Sequence, residues 1–272
     1  MKPLSVGNVV SAGLRIYRDN FKKYYRLAFI GSLWAWIPIY GTAKFYAHQA
    51  LISRLAYGEI IEKPESIRDA NRHVKGRMWS FLVAALLVSL RFLLAYILGA
   101  IAIALVVGGL TTVISMVLSS VLGDGGAIIG TIISLLLSIA VFVLFFGYLI
   151  RLFASFSVSE LLLSTEENIN ASQSLKKSQE LTKGYLKNLI IIYFISSLVS
   201  FPLLGLIFTL QVLPAFFQNS DLAAYSGIFT IFQLIFNSLT TALILPFWQS
   251  IKAVIYYDLK VRREGMGLDL NK

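Results

Sequence analysis

Positive charge in this chain is confined to four short blocks, and long apolar runs separate them. The blocks are Lys2–Arg26, Arg54–Arg77, Arg151–Lys187 and Lys252–Lys272, and of all the Lys and Arg residues only Lys44 and Arg91 fall outside them. Between the blocks lie five apolar stretches, Leu27–Tyr57, Trp79–Leu122, Ala127–Ser159, Leu186–Phe217 and Leu222–Tyr257. A helix needs roughly 20 apolar residues to cross the hydrocarbon core. The pattern therefore predicts an all-α integral membrane protein, because no soluble fold could cover so much apolar sequence with so little charge.

Composition agrees. Charged residues make up 14% of the chain and apolar residues 57%, with a mean hydropathy of +0.75. A soluble domain is typically near a quarter charged. The net charge of +10 could suggest nucleic acid in a soluble protein. Here the cations flank apolar runs, which points to anionic lipid headgroups and not to nucleic acid. With no cysteine in the chain, disulfides, thiolate metal sites and cysteine nucleophiles are excluded. The basic start of the chain does not read as a secretory signal, since no short apolar core with a cleavage site follows it.

Three hydrophilic turns hold neither Lys nor Arg: Pro38–Gly41, Gly123–Gly126 and Pro214–Gly227, with Asp124 and Asp221 as their only charges. Short cytoplasmic loops carry the positive excess. All four basic blocks then lie inside and the three turns outside. The expectation is a bundle of six membrane segments in three hairpins, each preceded by a basic interfacial helix, with both termini cytoplasmic. The first hairpin has short arms, consistent with thin spans or a re-entrant hairpin. In the second, Gly108-Gly109 suggests a break after Val107, leaving Leu110–Leu122 as a short helix in the outer interface.

The chain reads as a single membrane domain, 1–272, with a three-fold repeat at 1–63, 64–171 and 172–272. Leu14-Arg15 precedes Lys22 as Ile67-Arg68 precedes Lys75 and Leu175-Lys176 precedes Lys183, with Tyr24, Trp79 and Tyr185 following. In the first lead, Val6, Val10, Leu14, Tyr17, Phe21 and Tyr24 recur at helical spacing, and Arg15, Arg18, Lys22 and Lys23 take other faces. Such a helix lies in the interface with its cations among headgroups. Pro64-Glu65 suits the first turn of the second lead, and Ser164–Glu167 offers a capping box before the third.

Catalytic signatures are absent. His48 and His73 lie in different segments and read as packed and interfacial residues, and no Gly-x-Ser-x-Gly, Walker-type or His-Glu-x-x-His motif occurs. No catalytic, cofactor or metal residue is assigned, and the chain is expected not to be an enzyme. Gly126, Gly130, Ser134 and Ser138 recur every four residues, a spacing that lets helices approach closely within a bundle or between copies. One set of polar residues stands out inside the apolar stretches. Arg91 falls about 18 Å beyond Trp79 at 1.5 Å per residue, Gln233 and Asn237 make a polar stripe with Thr240 and Thr241, Lys44 follows the first turn, and Pro202 and Pro246 interrupt the last two spans. These residues either line a cavity or only fix packing.

The ending Ile255-Tyr-Tyr-Asp-Leu-Lys-Val-Arg-Arg-Glu-Gly265, followed by Leu268-Asp-Leu, resembles the C-terminal signature of the bacterial YciC-like multi-span membrane proteins. It is also similar to the membrane domain fused to some glycerophosphodiester phosphodiesterases. The Leu14–Phe21 lead carries the likeness too. The resemblance implies a bacterial plasma or internal membrane and no agreed activity; the phosphodiesterase barrel is absent. In this reading Arg262 and Arg263 sit among headgroups, and Asp258 can pair with Arg262 one helical turn away. The expected function is a scaffold, assembly or lipid-organising factor whose partners are anionic membrane lipids or a membrane-protein complex. The alternative is a transporter or channel for a lipid or small solute, with Arg91 in its cavity.

Overall fold

A computed structural model describes residues 4–212 and 226–264. The described residues form helices and no strand. In chain order these are α1 (Val6–Asp19), α2 (Phe21–Trp34), α3 (Tyr40–Ile60), α4 (Ile67–Lys75), α5 (Met78–Ile103), α6 (Thr111–Phe156), α7 (Ser159–Thr165), α8 (Ala171–Thr182), α9 (Leu186–Val212) and α10 (Ser226–Glu264), with a π-helical stretch at Ala104–Leu110 between α5 and α6. The chain divides into two compact units, one made of Met1–Ala85 and Ser155–Lys272, the other of Leu86–Ala154.

The first unit is built on α10, which packs against α1, α2, α3 and α9. Its densest part is the second half of α10, where Phe247, Ile251, Val254, Ile255, Tyr256 and Leu259 are buried, together with Leu51, Ile52 and Leu55 of α3 and Leu161–Leu163 of α7. Gly13 of α1 lies where a Cβ would meet Ile251 at 2.5 Å. The apolar face of α1 is thus partly covered by α10: Val10 is buried and the Tyr17 hydroxyl donates to the Leu243 carbonyl at 2.8 Å, while Leu14, and Phe21 at the start of α2, stay exposed. One polar cluster within this core is matched internally. Ser53 donates to Gln249 Oε1 at 2.6 Å, and Gln249 Nε2 donates to Gln49 at 3.0 Å.

Each lead has its own start signal. Ser5 caps α1 and Ser66 caps α4, with Asp69 in the first turn of α4. The capping box before α8 is Asn170 with Gln173; the expected box, Ser164–Glu167, instead falls at the end of α7, which closes with Ser164 and Thr165. The α2–α3 turn falls at Pro38–Gly41 as the sequence suggests. Tyr40 N–H donates to the Pro38 carbonyl at 2.7 Å around Ile39, whose φ is 59°. This is the rarer, strained form of γ-turn. At Gly41 a Cβ would lie 2.0 Å from the Trp34 carbonyl oxygen, so no larger residue fits.

The second unit is a helical hairpin that turns at Gly123, where φ is 62°. Contacts across it establish the reversal: a Cβ on Gly126 would strike the Leu118 carbonyl, one on Gly130 would lie 2.9 Å from Ser115 Cα, and one on Gly99 would strike the Phe145 ring. Gly126 and Gly130, two of the regularly spaced small residues, therefore serve packing within the hairpin. Gly108-Gly109 does not break the chain; it lies in the π-helical stretch, and helix continues through Thr111 to the Gly123 turn. At 1.5 Å per residue the 86–122 leg runs about 55 Å, against a hydrocarbon core of about 30 Å. A leg that long requires tilt or a bend, and a π stretch is a common place for one.

Among the described residues, three helical runs are able by length and composition to cross a membrane: Met78–Thr165, which includes the hairpin, Leu186–Gly205 and Thr230–Arg263. Six segments, as the sequence suggests, are not supported. The first hairpin is the reason. Helix α2 has 14 residues, about 21 Å, and α3 carries Lys44, His48, Gln49 and Arg54 along its length.

Candidate functional site

Within the first unit the four basic blocks meet, and they meet through acids placed among them. Lys23 of the first block pairs with Glu59 of the second at 3.1 Å. Arg54 of the second forks onto Glu65, with both nitrogens at 2.8 Å, and also donates to the Ser164 carbonyl of the third. Arg77 donates to the carbonyls of Leu163, Glu166 and Ile169, closing the C-terminal end of α7. Lys252 of the fourth block pairs with Glu160 of the third at 3.1 Å, and Lys177 and Lys260 both approach Glu166, at 2.8 and 3.6 Å. Twelve of the fourteen Asp and Glu residues lie inside the basic blocks. That interleaving was the sequence signal for this network, and counting only cations misses it.

Asp258 and Arg262 complete the base. Asp258, 9% exposed, accepts from Arg262 Nε at 2.6 Å and from the Leu4 N–H at 2.7 Å. Arg262 also donates to the Leu4 carbonyl at 2.9 Å and lies 4.7 Å from the Tyr185 ring. Arg263 donates to the Lys183 carbonyl beside Gly184, whose φ is 88°. Of the six cations expected to face lipid, Arg262 and Lys23 are thus engaged within the protein. Arg15, Arg18 and Lys22 are exposed, and Arg263 is exposed but holds Lys183. Gly265 and Leu268 of the terminal signature lie outside the described residues, as does Asp221.

Where three helices begin, an exposed cation gives way abruptly to exposed apolar surface. The outer face of α2 runs Lys22, Arg26, Ile30, Leu33, all exposed. That of α9 runs Lys187, Ile191, Phe194, Leu198, Phe201. Helix α5 opens with exposed Trp79 and Val83 just after exposed Lys75. Spacings of three and four place the α2 series and the α9 series each on one side of its helix. Arg26 and Ile30 are about 6 Å apart along the axis, so the change of environment is sharp.

The polar residues that the sequence places within apolar stretches divide between the units. Arg91, half-buried on α5, belongs to the Leu86–Ala154 unit; Lys44, Gln233 and Asn237 belong to the other. Near Arg91 in sequence, Val88, Ser89, Phe92, Leu93 and Tyr96 line a groove of about 430 Å³ with Leu149. Thr240 donates to carbonyls of its own helix. Lys44 Nζ sits 3.6 Å from the Trp34 ring centroid and 4.8 Å from that of Tyr40, a cation–π arrangement that compensates a charge in an apolar setting. His48 Nδ1 lies 2.8 Å from the Lys44 carbonyl, and its Cβ is where a side chain at Gly31 would collide. Among the described residues no three His, Cys, Asp or Glu converge as metal ligands.

No family model, curated protein or solved structure matches the chain.

Proposed function

We propose that this is a multi-span membrane protein of the YciC-like kind that acts by binding and not by catalysis: a basic platform at the cytoplasmic surface, held by apolar hairpins, that organises anionic lipid or a membrane-protein partner. The observation that carries this reading is the convergence of all four basic blocks into one ion-paired base, with a cation-to-apolar boundary on α2, α5 and α9. Positive charge concentrates on the cytoplasmic side, which assigns the base and both termini to that side. Legs 78–122 and 124–156, α9 and α10 then cross, and the short α2–α3 hairpin dips in without spanning. The succession of lead helix and hairpin at α1, α4 and α8 supports a three-fold repeat.

Impermeant thiol labelling in intact cells tests the arrangement. A cysteine at Asp124 is expected to react from outside and one at Lys177 to remain protected. Labelling at Lys177 would overturn the platform's placement.

A further inference from the structure

We infer that the outer face of α1 and α2 is a binding surface for anionic phospholipid of the cytoplasmic leaflet, with Arg15, Arg18, Lys22 and Arg26 forming a row that meets headgroup phosphates and Ile30 and Leu33 taking the acyl chain of the lipid held at Arg26. The inference rests on the membrane placement proposed above. All four cations are exposed. The fifth cation of the segment, Lys23, is turned inward onto Glu59. The one acid on α1 and α2 is Asp19, in an exposed pair with Arg18 at 3.2 Å. Four outward cations against one carboxylate leave a net positive face, and among the described residues nothing else in the first unit gathers so many on consecutive turns.

Three features favour a lipid over an acidic protein. First, the cationic face continues on the same side of α2 into exposed Ile30 and Leu33, so a ligand with a charged head and an apolar tail matches the boundary between Arg26 and Ile30. Second, an aromatic ladder runs beside the cations: Tyr17 to Phe21 at 5.5 Å, Phe21 to Tyr25 at 5.6 Å and Tyr25 to Phe29 at 6.3 Å between ring centroids. Aromatic side chains favour headgroup depth, where one side is wet and the other apolar. Third, three of the four cations are arginines, whose planar fork matches a phosphodiester bidentately. The other two boundaries are sparser, with Trp79 after Lys75 on α5 and a single cation, Lys187, on α9.

Native mass spectrometry of the full chain in mild detergent, with phosphatidylglycerol and phosphatidylcholine added in equal amounts, reads the preference directly. Wild type is expected to retain phosphatidylglycerol over phosphatidylcholine by at least about fivefold, on the scale of a few basic contacts near an anionic headgroup. Replacing Arg15, Arg18, Lys22 and Arg26 by Gln should bring the ratio towards one. Replacing exposed Lys63 and Lys176 by Gln should leave it in place. Raising KCl should erode the wild-type preference, which tests the site even where the fourfold variant folds poorly. No preference in wild type, an unchanged preference in the fourfold variant, equal loss in the Lys63 and Lys176 control, or complete displacement of lipid by inorganic phosphate would each overturn the inference. Thiol labelling as described above would still stand in every such case, so failure of the lipid site is distinguishable from failure of the membrane placement.

Discussion

Arg262 Nε donates to Asp258 Oδ2 at 2.6 Å, one turn apart on α10, and through Leu4 this pair joins the two ends of the described chain. Neither side chain is more than 14% exposed. Removing the carboxylate leaves Arg262 desolvated without its counter-charge and the Leu4 N–H without its acceptor. Asp258→Ala should therefore lower stability by about 3 kcal/mol, read as a fall in the unfolding midpoint in detergent. The Asp258→Ala/Arg262→Ala double variant should cost less than the two single changes added together, because the second change removes the stranded charge. Strict additivity would show that the pair is not coupled.

His73 gives the base a pH dependence. Its imidazole Nε2 is buried without a hydrogen-bond partner. Burial, and then the positive charges of Arg54 and Arg77, hold its pKa below the usual 6.5, against weaker opposite pulls from Glu167 and Glu65. The unfolded chain therefore takes up a proton before the folded one does, and stability falls as pH drops through 6.5 towards the lowered value. The thermal midpoint should decline between pH 7.5 and the acid side of 6, and the decline should be shallower in His73→Gln. Identical slopes in the two proteins would remove His73 from the cause.

Much of this was legible because it is written locally. Helix-long apolar runs, the turn at Pro38–Gly41, the reversal at Gly123 and the Asp258–Arg262 pair all follow from residues a few positions apart. What was not legible depends on partners far away in sequence. The apolar stripe of α1 reads as a lipid-facing surface until α10 is placed against Val10 and Gly13. Arg77 reads as one more interfacial cation until the end of α7 is brought to it. Gly108-Gly109 reads as a break, but a side chain at either would meet nothing within 4 Å, so no close contact there forces the helix to end.

The hairpin offers a sharper test of the same distinction. A Cβ on Gly126 would sit 1.9 Å from the Leu118 carbonyl oxygen, whereas one on Gly147 would meet nothing within 4 Å. Backbone cannot yield as a flexible side chain can. Gly126→Val should open the turn and cost about 2–3 kcal/mol, with new protease cleavage near residue 123. Gly147→Ala should be neutral or slightly stabilising, since alanine is the better helix former. Equal tolerance at both positions would show that the two legs are not held together there.

Ile39 makes the last prediction, and its direction is the opposite. Its φ of 59° is one that a β-branched residue rarely adopts, and the Tyr40-to-Pro38 hydrogen bond of 2.7 Å fixes the turn around it. Backbone held in such a region costs of order 1–3 kcal/mol. The side chain returns little, because it is 69% exposed. Glycine adopts the same φ without the Cβ clash. Two effects then compete in Ile39→Gly: relief of strain in the folded turn, and greater freedom of the unfolded chain, worth about 0.4–1 kcal/mol against the change. The strain is the larger, so Ile39→Gly should raise the unfolding midpoint slightly, by the equivalent of about 1 kcal/mol. Ile39→Val keeps the branch at Cβ and should change nothing. A lower midpoint for the glycine variant, with valine unchanged, would mean that the Ile39 side chain is anchored in the membrane interface and contributes more through lipid contact than its backbone loses.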